Sequence, residues 1–515
     1  MDYEAIAKRK INYSEDIFFL SYEENFTLWC NSAAVASFDN LDLICAYLFK
    51  NYVNKRPSRR VYVYSVYFNE LFRYFANYED IAFKVKNLKA NIEPKAFQVY
   101  GGITFKDAKY YLGTDKIDSI NPVNYCGLIK RFHSPKLQSS FTTYLKKFIL
   151  DEDLMDFGNK ENVPYTVIKE LFANASLAPV IYSEINTEFK NVYCYDFDSA
   201  YIAHYYKHKF PYKFTYCGKE IRGEETLVRA RFINIKAKNV RFLPISTSPK
   251  RNGKEVMYAN AKGNRFLMGK EIELTFFYNL EMEMIDKYYE YDEMIIEKCW
   301  EIEMRPLPLS FLRKVAELYR DKEEAKRRGE PYADKKVLLN RIHGFFITSK
   351  DYNGGKEQMY PEVPLQISFY TIALQRATMC DIIEEVGLEN IVSAHTDSIK
   401  TKGNFGTIIE EYNNSCRLAK FDKLGQLEFE GLMEKVVYFS NTRAKYIMDG
   451  EFKIKHGGIE SYRAKEILKN YTYDTLTSNS SYTHTIIRYF ENDGDKDILI
   501  REPETRIFSE GGLLV

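Results

Sequence analysis

The sequence is poor in the features that mark several protein classes. Tryptophan is nearly absent, with 2 residues in 515. Cysteine is sparse, and its 8 residues (Cys30, Cys45, Cys126, Cys194, Cys217, Cys299, Cys380, Cys416) stand singly. No Cys-x-x-Cys pair occurs, which argues against a zinc ribbon. No run of about 18 apolar residues exists, so neither a transmembrane helix nor a membrane partner is expected. No signal peptide is recognisable, so the thiols are expected to be reduced and the protein cytoplasmic. With 25 Gly and 15 Pro, nothing reads as collagen, mucin or linker, and there is no internal repeat. A dominant charge sign is missing too: 73 Lys+Arg against 72 Asp+Glu leaves +1 at pH 7. That argues against a coat protein held to nucleic acid by overall charge and restricts any such site to a local patch.

What is abundant is aromatic: 42 Tyr and 36 Phe. An AT-rich coding sequence explains such a bias, and so does a stacking surface for bases or sugars; composition does not choose between them. The length predicts about two to four domains. Residues 1–180 mix helical and strand patterns. Ser37 to Val53 reads as an amphipathic helix, and Arg60 to Tyr67 as a buried strand, together an α/β layer. Gly158 to Pro164 and Ala178-Pro179 punctuate the end of this region. From Asn191 strands alternate with long helices. Val192 to Tyr195 is a short apolar strand ending at Asp196. Leu312 to Arg328 reads as a basic helix, broken by Gly329-Glu330-Pro331 and followed by a second helix from Asp334 to Phe346. Phe311 to Lys350 holds 11 Lys/Arg and 6 Asp/Glu, a local excess of +5 within a near-neutral chain. Val392 to Lys400 reads as a hairpin with its tip near His395-Thr396-Asp397.

Three segments carry chemistry. In Asp196-Phe197-Asp198-Ser199-Ala200-Tyr201 a carboxylate stands where a strand stops, and the following backbone N–H groups can turn toward an anion. In the second helix Lys336, Asn340 and His343 fall at i, i+4 and i+7, on one face. A point charge, an amide and a ring in that order suit a triphosphate and its sugar; a solvated helix face would look the same. At the hairpin tip Asp397, beside a second carboxylate, could hold a hard divalent cation, because Mg²⁺ takes oxygen ligands.

In this order the three segments resemble the motifs of family B DNA polymerases, most closely the protein-primed subgroup of bacteriophages and linear mobile elements. Asp196 to Ile202 is similar to D-x-x-S-L-Y-P, Lys336 to Gly344 to K-x-x-x-N-S-x-Y-G, and His395-Thr396-Asp397-Ser398 to D-T-D-S. Arg443-Ala444-Lys445-Tyr446, followed by Lys455-His456-Gly457-Gly458, resembles the K-x-Y element. The likeness runs from about residue 185 to 460. It implies an α/β and α+β multidomain protein: a right-hand polymerase with palm, fingers and thumb behind an N-terminal exonuclease-like, ribonuclease H-like domain. The implied division is 1–180 exonuclease-like, 181–310 first part of the palm with a possible insertion of the terminal-protein region, 311–350 fingers, 351–440 second part of the palm, and 441–515 thumb.

The resemblance also implies roles. Asp196, Asp397 and the Phe197 carbonyl would hold two Mg²⁺ or Mn²⁺ ions about 3.5–4 Å apart, one activating a primer 3′-hydroxyl and one holding the triphosphate. Ser199, Tyr201, Arg320, Lys326, Lys336, Asn340 and His343 would contact the nucleotide, with Tyr201 under the sugar and Lys336 able to protonate the leaving pyrophosphate. Lys445, Tyr446, Thr396 and Ser398 would contact the primer. The implied partners are primer–template DNA, dNTPs and a terminal protein as primer, and the implied form is a monomer in a host cytoplasm. Departures are visible: His395 replaces the first Asp of D-T-D-S, and imidazole is a poorer Mg²⁺ ligand. Weakened catalysis or a changed metal preference follows. Arg341 and His343 replace Ser and Tyr, and Ile202 replaces Pro.

In the N-terminal region no D-x-E lies in a strand setting; Asp2-x-Glu4 is terminal and Asp151-Glu152-Asp153 reads as a loop. Asn69 stands where Tyr67 to Phe72 would need an Asp. Absence of 3′–5′ exonuclease activity is therefore expected. Two other readings remain open: a polymerase-fold protein that binds nucleic acid or a partner without catalysis, and a template-independent nucleotidyltransferase.

Overall fold

The computed structural model describes residues 151–175, 179–239, 242–245, 269–330, 332–346, 364–456, 461–490 and 498–508, and in the first 150 residues little beyond the helix and strands named next. The chain forms two compact units. The first comprises Met1–Ile149, Leu318–Arg341 and Thr483–Thr505; the second comprises Leu150–Glu317, Ile342–Tyr482 and Arg506–Val515.

The first unit holds a seven-stranded mixed sheet. Its strands are β1 (Asn12–Tyr22), β2 (Phe26–Cys30), β3 (Ala33–Phe38), β4 (Arg59–Ser65), β5 (Phe83–Val85), β6 (Ala96–Val99) and β7 (Ile103–Asp107), in the order β3-β2-β1-β4-β7-β6-β5. β1, β4 and β7 run parallel and the outer pairs antiparallel. β4 is buried throughout Val61 to Tyr64, as its alternating β-branched and aromatic residues predict. The helix predicted from Ser37 is shorter, α1 (Leu41–Leu48). Ser37 and Phe38 are drawn into β3 by pairing with Thr27 and Phe26. The Tyr67-Phe68-Asn69-Glu70 segment and Asp2-x-Glu4 lie outside the described residues.

The second unit begins with α2 (Glu152–Asp156) and α3 (Tyr165–Asn174). The loop predicted at Asp151-Glu152-Asp153 is instead a helix start. Asp151 is its N-cap and accepts from Leu154 N–H at 3.0 Å. The predicted boundary at residue 180 falls inside this unit.

Two sheets follow. One orders β10 (Phe210–Gly218), β14 (Glu293–Arg305), β11 (Thr226–Ala237) and β12 (Gly269–Phe277), with β13 (Tyr289–Glu290) paired to β11. The other combines β8 (Ile181–Ser183), β9 (Glu188–Phe197), β15 (Ile391–His395), β16 (Ser398–Thr401), β17 (Leu427–Ser440), β18 (Arg443–Met448) and β19 (Glu451–His456), in the order β19-β18-β17-β9-β16-β15-β8, antiparallel throughout. The helices are α4 (Ala200–Lys207), α5 (Tyr278–Tyr288), α6 (Leu309–Arg327), α7 (Ala333–Phe345), α8 (Leu365–Val386), α9 (Gly406–Ser415) and α10 (Ser461–Asn470). A two-stranded ribbon, β20 (Ser481–Phe490) and β21 (Ile498–Ile507), closes the chain. No helix among the described residues is long and apolar enough to cross a membrane.

The sheet around β9 has two unlike faces. Tyr195, Phe197, Ile399 and Leu427 pack into a large core with Met379, Ile382 and Ile383 of α8 and with β11, β12 and α5. Residues in the other phase of β9, Val192 and Cys194, join Val392, Val436, Tyr438 and Ala444 in a core made by strands alone. The sheet curls to make that possible. Tyr438 on β17 bridges to Ile185, just past the far edge strand β8, and its carbonyl accepts from Asn186 N–H at 2.8 Å. One ion pair lies inside the large core: fully buried Arg376 of α8 donates to Glu281 of α5, which also accepts from Phe277 N–H at 2.9 Å. A charged group this deep persists only when paired.

Candidate active site

Asp196 lies one residue before the end of β9, in phase with Val192 and Cys194, so its carboxylate belongs to the inner face of the curl. Ser398 stands opposite it on β16 and Glu428 opposite it on β17. The next residue joins the two sequence-predicted acidic segments directly: Phe197 N–H donates to the Asp397 carbonyl at 2.9 Å. Asp198 is fixed to the segment before β17, donating to Gln426 O at 2.9 Å and accepting from Gly425 N–H at 2.8 Å. Its carboxylate also accepts from Ser199 Oγ at 3.0 Å. Gly425 has φ +75°, and a Cβ there would sit 2.4 Å from Ala203 Cβ, so only glycine fits this approach.

Both acidic segments end in strained backbone. Six described non-glycine residues have positive φ, and four of them are Asn or Asp, which tolerate it. The other two are Ser199 (φ 55°) and Thr396 (φ 62°). Thr396 is the centre of a three-residue turn closed by Asp397 N–H on His395 O at 2.8 Å, and its φ has the sign of the rare, strained γ-turn. The turn is held from outside: Thr396 N–H donates to Val180 O at 3.0 Å, and Gln375 of α8 donates to Thr396 O at 3.3 Å. Gln375 in turn meets His204 Nε2 at 2.9 Å. Burial pushes His204 down to about 3, so it is neutral. Strain that the surroundings over-determine marks sites where position matters more than stability.

Tyr201, on the first turn of α4, stacks on His343 of α7, with ring centroids 4.2 Å apart and planes within 11°. Burial, and after it the Asp397 carboxylate, raises the Tyr201 phenol well above its ordinary value and keeps it protonated. His343 is held neutral, pushed down to about 3 by burial, and among the described residues its Nδ1 has no hydrogen-bond partner. The single stripe predicted for Lys336, Asn340 and His343 is thus divided. Lys336 and Asn340 are exposed, as are Arg320 and Lys326 on α6, and these four belong to the first unit. His343 belongs to the second unit, buried because its ring packs on Tyr201.

At the other end of the segment, Lys445 is occupied. Its amine donates to Tyr473 O at 2.7 Å and Leu476 O at 2.9 Å and lies 4.6 Å from the centre of the Tyr473 ring. Burial lowers it from its ordinary value. Tyr446 is half-buried against the strand core. Sequence reasoning missed Glu428, Gln375 and Lys400, whose roles depend on cross-strand register or packing and leave no local signal. His395 is pushed down to about 4, first by burial and then by Lys455 and Lys400, and is neutral at pH 7.

Among the described residues no three His, Cys, Asp or Glu side chains group as a metal site. The segments meet through their backbones at Phe197 and Asp397; the Asp196 and Asp397 carboxylates and the Phe197 carbonyl are oxygen donors of the kind Mg²⁺ or Mn²⁺ takes. Neutral His395 adds no charge to them.

Comparison with solved structures bears on the fold. The chain aligns over 96% of its length with all of phi29 DNA polymerase, at 13% identity and a TM-score of 0.62. It shares the fold of a DNA polymerase. The same figures hold for phi29 polymerase complexed with primer–template DNA and for its ternary complex with primer–template DNA and incoming nucleotide substrates. No family model matches the chain, and no curated protein matches it.

Proposed function

We propose that the chain is a DNA-templated DNA polymerase that adds dNTPs to a primer 3′-hydroxyl. The observation that carries this reading is the meeting of the two acidic segments, 200 residues apart in sequence numbering, through the Phe197–Asp397 hydrogen bond, within a fold shared over 96% of the chain with a DNA polymerase. Asp196, Asp397 and the Phe197 carbonyl would hold two divalent cations, which when bound supply Lewis-acid activation of the attacking hydroxyl and neutralise charge on the leaving pyrophosphate. The remaining chemistry falls to the chain's own groups. Protonated Tyr201, fixed by its stack on His343, is a rigid ring that would lie under a deoxyribose and exclude a 2′-hydroxyl, as the resemblance implies. By the resemblance, exposed Lys336, Asn340, Arg320 and Lys326 would supply charge and hydrogen bonds to a triphosphate. The strained turn at Thr396 sets the position of Asp397.

Within the same reading the protein belongs to a phage or mobile element, is primed by a terminal protein, works as a monomer and lacks 3′–5′ exonuclease activity. Extension of a labelled primer–template by each dNTP, with Mg²⁺ and with Mn²⁺, tests it. Template-dependent extension that Asp196→Asn abolishes is the expected result. Additions that ignore the template, or full activity in Asp196→Asn, would overturn it.

A further inference from the structure

Both peptide groups that flank Asp397 are tied to the first acidic segment. The Asp397–Ser398 peptide is held through its carbonyl, which accepts from Phe197 N–H on β9 at 2.9 Å. The Thr396–Asp397 peptide is held through the Thr396 carbonyl, which accepts from Gln375 Nε2 on α8 at 3.3 Å. The other end of the same amide meets His204 Nε2 at 2.9 Å. His204 lies on α4, the helix that Ser199 leads into. One side chain therefore spans from the helix behind one acidic segment to the turn that carries the other.

The chemistry of the three groups fixes the protons. A backbone carbonyl only accepts, so the Gln375 NH₂ faces Thr396 and its Oε1 faces His204. His204 then donates from Nε2, and its neutral ring carries no proton on Nδ1, which has no hydrogen-bond partner among the described residues. Gln375 and His204 are 1% and 4% exposed, so water cannot replace either bond. Other buried polar side chains of α8 hold different elements: Gln366 donates to Phe157 O at 2.6 Å, Ser368 donates to His343 O at 2.7 Å, and Arg376 pairs with Glu281. Gln375 is the member of this set that reaches the strained turn. Thr396 needs such a hold, because positive φ is costly for a β-branched residue and persists only when its surroundings impose it.

We propose that Gln375, oriented by His204, is a positioning residue that fixes the plane of the Thr396–Asp397 peptide and with it the direction of the Asp397 carboxylate. The inference rests on the polymerase reading. Gln375 touches no substrate in it and acts through the turn alone. Released from the amide, the peptide would rotate toward an unstrained turn about the Phe197 bond and carry the carboxylate out of line with Asp196.

The test compares wild type with Gln375→Met, which keeps the length of the side chain and removes both bonds, in two readouts. In the full chain without DNA or nucleotide, hydrogen exchange over residues 391–400 should quicken about fivefold, the effect of one lost buried hydrogen bond, with little change elsewhere. In primer extension kcat should fall about tenfold or more while KM for dNTP stays within about twofold, the pattern of reacting groups bound but misaligned. His204→Phe keeps a ring and removes the donor. It should show the same pattern at about threefold in kcat, and it carries the test should Gln375→Met fail to fold.

Unchanged exchange over residues 391–400 in a folded variant would overturn the proposal, as would faster exchange with an unchanged kcat. So would a kcat that falls only in step with a lowered melting point, which is what a purely structural role produces. A wild type that does not extend primer–template would overturn the polymerase reading, and the exchange comparison would still decide whether Gln375 holds the turn.

Discussion

The two faces of the sheet around β9 solve different problems with neighbouring residues of one strand. Tyr195 and Phe197 point into a core built with helices and a second sheet, where even the Arg376–Glu281 pair is internally satisfied. Val192 and Cys194 point into a strand-only core, and two residues further the same phase delivers Asp196 to a region holding Lys400, Lys455 and neutral His395. The outer face neutralises its charges within the fold. The inner face carries groups of both signs, Asp196 and, two residues away in register, Lys400 opposite Cys194. A period of two in one strand is enough to separate stability from chemistry.

Substitutions on the two faces should therefore fail differently. Removing either carboxylate of the strand ends, Asp196→Asn or Asp397→Asn, should lower primer extension at least about a thousandfold, the loss of several kcal/mol of charge stabilisation. The thermal unfolding midpoint should stay close to wild type. A melting point that falls with activity would merge the two faces. On the outer face Arg376→Met or Glu281→Gln should cost about 3–5 kcal/mol in urea unfolding, because the partner is left as an uncompensated buried charge. The double variant Glu281→Leu/Arg376→Met should recover most of it, and a double variant as unstable as the singles would show that the pair acts through more than its charge.

Between the faces, Gly425→Ala should cost about 1–3 kcal/mol by driving α4 away from the segment that fixes Asp198. Extension should slow with it, which a single-turnover rate would show. The last effect is a pH dependence. His204 and His343 are pushed down to about 3 in the fold, while an unfolded imidazole titrates near its ordinary 6.5. Between those values the unfolded state binds more protons, so stability falls as pH drops from about 6.5 toward 3. His343→Phe, which preserves a ring on Tyr201, should flatten that slope in melting curves recorded from pH 7 to 4.

Much of the architecture is legible along the chain because its causes are local. The strand ending at Asp196, the hairpin tipped by Thr396-Asp397 and the break at Gly329-Glu330-Pro331 each follow from periodicity and turn chemistry within a few residues. Ser37 and Phe38 read as helix because nothing nearby announces that β2 will claim them. His343 reads as a member of an exposed stripe because helical spacing says nothing of a ring waiting on α4. The two carbonyls that hold the Lys445 amine lie about 30 residues downstream and are not legible in the local sequence.

By itself, then, the sequence determined the order of the acidic segments, the residue types offered to a cation and a triphosphate, and the alternation that puts Asp196 in phase with Cys194. Tertiary structure alone decided that Phe197 would meet Asp397, that Tyr201 would be capped by His343, and that Ile185 would bridge to Tyr438. Those outcomes depend on strand register and on the curl of a sheet, which are settled by packing across long separations rather than by preferences along the chain.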